Sequence, residues 1–139
     1  MSRFVLDASV VLALCFPDEN AGIALEVARR LADGDSALAP SFWPHEVLNA
    51  VLVGEKRKRI SPEIARAFLE EVSALSVKLE EIPSTTVFNR IRSLSLKHGL
   101  TAYDAAYLDL AIETGLPLAT LDNALVRASG SFGIKLVGR

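Results

Sequence analysis

An apolar run interrupted by a single carboxylate, at residues 4–16, constrains the fold of this chain more than any other feature. Phe4, Val5 and Leu6 lead into Asp7, and a second apolar run follows at once. Strands of a parallel sheet are covered on both faces, so they are continuously apolar. We therefore predict a buried central strand that ends at Asp7 and a helix that begins beside it. Ligands bind outside the carboxyl ends of such strands, which makes Asp7 a candidate site residue.

Strand-like and helix-like segments alternate along the rest of the chain. Further strands are predicted at 37–39, 77–82, 116–120 and 134–137, with helices at 8–17, 21–33, 42–59, 61–75, 83–98, 101–113 and from 122. Pro17 is predicted to end the first helix, and Asn20 to cap the second. The alternation predicts an α/β fold, a three-layer α/β/α domain with a central parallel sheet of about four to five strands. We expect residues 1–139 to form a single domain.

The third helix illustrates how the core is predicted. Val47, Leu48, Val51 and Leu52 recur at helical spacing and are expected to form its apolar face. Trp43 lies at the start of the same helix. A core anchor is the favoured interpretation of this residue, and a platform for base stacking is the alternative.

Charge and cysteine content narrow the function classes. The net charge of -2 gives no overall basic signature of a nucleic-acid binder. If four of the 17 acidic residues surrounded a metal ion, however, the other 13 would face 15 basic residues, so a polyanionic substrate is compatible. Cys15 stands alone, which excludes an internal disulfide and fits a reducing compartment. With no apolar run near the ~18 residues that a membrane span needs, we expect a soluble cytoplasmic protein.

Four acidic residues fall at element junctions or beside apolar helix faces: Asp7, Glu46, Asp104 and Asp122. Each has a purely structural explanation when taken alone. Asp7 and Asp122 can cap helices. Asp104 can complete a capping box with Thr101. Glu46 lies in the first turn of a helix, where the dipole favours negative charge.

Their conjunction favours a metal site. Carboxylates that converge on one point raise each other's pKa values, and a hard divalent cation such as Mg²⁺ or Mn²⁺ relieves the repulsion. Metals held by carboxylates activate water and stabilise in-line displacement at phosphorus. The sequence has no Cys and His cluster for zinc, and no glycine-rich loop for nucleotide phosphates.

Four segments together resemble the PIN domain, and most closely the VapC-type ribonuclease toxins of bacterial toxin–antitoxin pairs. The segments are Val5-Leu6-Asp7-Ala8-Ser9, Trp43-Pro44-His45-Glu46-Val47-Leu48-Asn49-Ala50, Leu100-Thr101-Ala102-Tyr103-Asp104-Ala105-Ala106-Tyr107 and Leu118-Ala119-Thr120-Leu121-Asp122. The resemblance covers essentially the whole chain. It implies a metal-dependent endoribonuclease that cleaves single-stranded RNA.

Carried over position by position, the resemblance implies that Mg²⁺ or Mn²⁺ is bound by a catalytic quartet of Asp7, Glu46, Asp104 and Asp122. Ser9 and Thr120 match supporting hydroxyl residues of the family, and Ser9 would orient a ligand or a water molecule. The resemblance also implies a homodimer and a cognate antitoxin protein that silences the enzyme by covering its site.

Lys56, Arg57, Lys58 and Arg59 form the densest basic run. They are either a solvated helix end that complements the helix dipole or a patch that contacts RNA phosphates. Two alternative functions remain beside the nuclease. A PIN-like binding module would use the fold without catalysis. A haloacid-dehalogenase-like phosphatase would need an acid two residues after Asp7, where this chain has Ser9.

Overall fold

Four short parallel strands form the central sheet in the computed structural model, which describes residues 2–16 and 21–139. They are β1 (Arg3–Leu6), β2 (Ser36–Pro40), β3 (Val77–Glu80) and β4 (Leu118–Ala119), in the spatial order β3-β2-β1-β4. Phe4, Val5 and Leu6 are all fully buried. Because neighbouring residues of a strand point to opposite faces, both faces of β1 are covered, as the three-layer prediction requires.

The predicted last strand, 134–137, is reduced to a single parallel bridge between Leu118 and Leu136. The Leu118 amide donates to the Lys135 carbonyl at 2.9 Å, and the Val137 amide donates to the Leu118 carbonyl at 3.0 Å. β4 has only two residues, so it offers a short edge for pairing. The described part of the sheet therefore has four strands and one bridge, within the predicted range.

The helices follow the predicted order. They are α1 (Ala8–Cys15), α2 (Gly22–Ala32), α3 (Trp43–Lys56), α4 (Pro62–Ser73), α5 (Ser84–Thr86), α6 (Arg92–His98), α7 (Ala102–Thr114) and α8 (Asn123–Gly130). Ser61 caps α4 by accepting a hydrogen bond from the Ile64 amide at 3.2 Å. The predicted stop at Pro17 and the predicted cap at Asn20 lie outside the described residues. No helix in residues 2–16 or 21–139 is both long and apolar enough to cross a membrane.

The helix predicted at 83–98 is continuous but changes pitch. A π-helical segment, Val87–Ile91, joins α5 to α6. From this segment Arg90 donates to both carboxylate oxygens of buried Asp109, at 3.0 and 3.1 Å. A bidentate pair of this kind fixes the segment against α7.

The apolar face predicted for α3 divides into two parts. Val47 and Val51 are buried as expected, but Leu48 and Leu52 are 41% and 51% exposed, so their assignment to the core was wrong. Leu48 and Leu52 line a shallow depression shared with α4, whose Ile64 is also exposed. Helical spacing identifies an apolar face, but the packing of α3 and α4 decides how much of it is covered. Trp43 is buried, as a core anchor should be.

Candidate active site

Asp7 follows β1 and is almost completely buried, with 5% of its surface exposed. Two hydroxyl groups donate to its Oδ2 atom: Ser9 at 2.8 Å and Thr120 at 2.7 Å. The Asp7 amide donates to the Ala119 carbonyl, which holds the residue beside β4. Asp7 occupies the N-cap position of α1 without a side-chain capping hydrogen bond, and its Oδ2 atom is instead bound by the Ser9 and Thr120 hydroxyls.

Burial is the main influence on the Asp7 carboxyl. Its pKa is raised from 3.8 to about 6: loss of water around the charge is the largest cause, the charge of Glu46 also raises the pKa, and the Thr120 and Ser9 hydrogen bonds lower it. The two donors show that the surroundings accommodate a carboxylate. A charge kept here at neutral pH costs folding free energy, and site residues commonly carry such a cost.

Asp122 has a dual position at the end of β4. Its Oδ1 atom accepts a hydrogen bond from the Leu125 amide at 3.0 Å. Asp122 therefore caps α8, as its structural explanation predicted. Its own amide donates to the Thr120 hydroxyl at 3.0 Å. Since Thr120 also donates to Asp7, a single hydroxyl connects the two strand-end acids.

Asp104 lies in the first turn of α7 and is partly buried. The Thr101 hydroxyl caps α7 by accepting a hydrogen bond from the Asp104 amide at 3.1 Å. The Asp104 carboxylate interacts electrostatically with the carboxylates of Asp122 and Asp7. Burial first, then the charges of Asp122 and Asp7, raise the pKa of Asp104 from 3.8 to about 6.

Glu46 has a partner that the sequence did not reveal. The buried hydroxyl of Tyr107 donates to its Oε1 atom at 2.6 Å, across a sequence separation of 61 residues. Burial raises the pKa of Glu46, the charge of Asp104 raises it too, and the Tyr107 hydrogen bond lowers it. Burial and the neighbouring carboxylates raise the pKa of Tyr107, which keeps it a proton donor. The only local signal was that Tyr107 follows Asp104 by one helical turn.

The four acids therefore form one electrostatic cluster at the carboxyl ends of β1 and β4 and the starts of α3 and α7. Among residues 2–16 and 21–139, however, no three acidic, histidine or cysteine side chains are already arranged to hold one ion. The donor chemistry fits a hard divalent cation, because the donors are carboxylate oxygens whose repulsion a cation relieves.

The predicted basic run does not behave as a unit. Lys56 ends α3, and Lys58 has a positive φ of 58°, which turns the chain. After this turn the Arg59 guanidinium lies 4.4 Å from the ring centre of Phe16. Among the described residues, Arg59 also lines a groove that includes Ser9 and Asp122. A larger cavity of about 540 Å³ lies beside the π-helical segment, and none of the four acids lines it.

A family model for the PIN domain matches residues 4–131. The chain belongs to the PIN domain family. The match spans the four acids and the strands and helices that carry them, so this PIN domain has its carboxylate cluster at the sheet edge described above.

Two named relatives and a solved structure are similar to this PIN domain over most of its length. Ribonuclease VapC12 of Mycobacterium tuberculosis is 34% identical over 126 residues, covering 91% of this chain and 92% of that protein. Ribonuclease VapC3 of Pyrobaculum aerophilum is 31% identical over 123 residues, covering 88% and 92%. The crystal structure of VapBC2 from Rickettsia felis, bound to a DNA fragment from their promoter, shares the fold. Its TM-score is 0.64 at 14% identity, with 98% of this chain and 97% of that chain covered.

Proposed function

We propose that this protein is a divalent-metal-dependent endoribonuclease that cleaves single-stranded RNA in the cytoplasm, as the toxin of a toxin–antitoxin pair. The observation that carries the proposal is the cluster of Asp7, Glu46, Asp104 and Asp122 at one edge of a PIN-domain sheet. The relatives named as VapC ribonucleases support the reaction class. We further propose that residues 1–139 act as one domain, that the protein forms a homodimer, and that a cognate antitoxin covers the site.

In this proposal the four carboxylates hold Mg²⁺ or Mn²⁺, which when bound supplies an activated water molecule and neutralises charge on the scissile phosphate. The protein's own groups prepare the ligands. Ser9 and Thr120 fix one oxygen of Asp7, and Tyr107 fixes one oxygen of Glu46. Such partners orient ligands and tune their basicity. The Asp122 cap holds the start of α8 beside the cluster.

Cleavage of a mixed single-stranded RNA pool tests the proposal directly. Purified partner-free protein is expected to cleave with Mn²⁺ or Mg²⁺ and to stop with EDTA, because the carboxylates alone provide no activated water. Asp104→Asn should also abolish cleavage, since it removes one ligand charge at almost constant volume. Cleavage that persists in EDTA would contradict the metal requirement. No cleavage and no stabilisation by metal would favour the binding module instead.

Tyr107→Phe is expected to weaken metal binding about tenfold, because loss of a group that orients a ligand typically costs 10–100-fold in affinity. Isothermal titration calorimetry with Mn²⁺ measures the metal affinity without relying on activity. Tyr103→Phe is the matched control, since Tyr103 is one turn away and 57% exposed. Equal affinities for the Tyr107 variant and the parent protein would show that the 2.6 Å hydrogen bond does not position Glu46.

A further inference from the structure

A groove of about 440 Å³ leads from the carboxylate cluster along α1. Ser9 and Asp122 lie at one end, and Phe16 and Arg59 also line it. Ser9 connects the groove to the site, because its hydroxyl donates to Asp7. At the 1.5 Å rise per residue of a helix, Phe16 lies on the order of 10 Å along α1 from Ser9. An RNA strand whose scissile phosphate lies at the carboxylates can therefore extend into this groove.

Small residues give the groove its width. Ala13 of α1 and Ala50 and Gly54 of α3 are among the residues that line it. Gly54 is required for a specific reason: a Cβ atom there would lie 2.5 Å from the ring of Phe16. Without a side chain at residue 54, the Phe16 ring packs directly against α3 and is only 5% exposed. The Phe16 ring is therefore held in place against α3.

The Arg59 side chain packs over the Phe16 ring. Its guanidinium carbon is 4.4 Å from the ring centre of Phe16, a cation–π distance, and the residue is exposed. Unstacked RNA bases are bound by stacking on aromatic rings and on guanidinium planes. The Arg59 guanidinium, placed over a buried ring, offers a plane of this kind in a groove that opens beside the proposed catalytic carboxylates.

We propose that the groove binds the RNA nucleotide next to the scissile phosphate, with its base stacked on the Arg59 guanidinium. The inference rests on the proposed ribonuclease function and identifies a subsite that selects the cleaved sequence. Within the predicted basic run, it assigns a defined contact to Arg59.

Binding of short fluorescently labelled single-stranded RNA to cleavage-deficient Asp7→Asn protein tests the subsite separately from catalysis. Adding Arg59→Gln is expected to weaken binding about tenfold, the usual scale for loss of one stacked base. Arg59→Lys should weaken it nearly as much, because lysine keeps the charge but lacks the plane. Arg66→Gln, an exposed arginine of α4 outside the groove, is the matched control and should bind like the parent. Full rescue by Arg59→Lys would overturn the stacking proposal.

Ala50→Leu tests the space between α1 and α3. Ala50 is partly exposed in α3, so leucine fills the groove without entering the core and keeps good helix propensity. The variant should weaken RNA binding and, in the active protein, change the base preference beside the cleaved bond. Unchanged RNA binding with weakened binding of the cognate antitoxin would overturn the proposal and show a protein-docking surface. If Ala50→Leu does not fold, the two Arg59 variants decide.

Discussion

Asp7→Asn is expected to abolish RNA cleavage while stabilising the metal-free fold. The activity should fall about a thousandfold or more, because a metal ligand contributes several kcal/mol to the transition state and about 1.4 kcal/mol corresponds to a factor of ten. The stability should rise because the wild-type carboxylate is ionised at neutral pH although only 5% of Asp7 is exposed, and a buried charge lowers stability. Its pKa of about 6, against 3.8, corresponds to about 3 kcal/mol of destabilisation above that pH.

The asparagine amide keeps an oxygen that accepts from Ser9 and Thr120, but it adds an NH₂ group that needs a partner, at about 1–2 kcal/mol. The net gain is therefore about 1 kcal/mol or more, which thermal or urea unfolding in EDTA can measure. Asp33→Asn removes one charge at a residue whose side chain is 65% exposed and serves as the control. An active Asp7→Asn protein would exclude Asp7 from the site. A strongly destabilised variant would instead mark it as a structural carboxylate.

The free energy of unfolding of the metal-free protein is expected to fall as the pH rises from about 5 to about 7.5. Asp7 and Asp104 both have folded-state pKa values of about 6, raised from 3.8. The folded state therefore binds protons more tightly than the unfolded chain. Their contribution to stability is fully present below about pH 4 and is lost as the pH rises through about 6.

Saturating Mn²⁺ is expected to reverse this loss, because a cation that binds the ionised carboxylates stabilises only the folded state. The stabilisation should be larger at about pH 7.5 than at about pH 5, where protons compete for the same oxygens. Urea unfolding at both pH values, with Mn²⁺ and with EDTA, measures it. The carboxyls of Glu26 and Asp35 have lowered pKa values, so they change the free energy of unfolding only at more acidic pH. Equal stabilisation at both pH values would contradict binding to the raised-pKa carboxylates.

The sequence by itself determined the order of elements and the edge of the sheet at which the acids gather. Both follow from local patterns. Continuous apolar runs mark strands buried on two faces; Asp7 directly follows β1, and Asp122 comes three residues after the end of β4. Its resemblance to the PIN domain also indicated Ser9 and Thr120 as supporting residues, and both hydroxyls donate to Asp7.

Only the tertiary structure decided which groups touch. Tyr107 reaches Glu46 because the sheet brings the N-terminal parts of α3 and α7 to the same edge, and no local spacing encodes a contact across 61 residues. Arg59 leaves the basic run for the ring of Phe16 because Gly54 lets that ring approach α3. Periodicity fixes which face of a helix is apolar. The depth at which that face is buried depends on the neighbouring helix, and for this reason Leu48 and Leu52 are exposed while Val47 and Val51 are not.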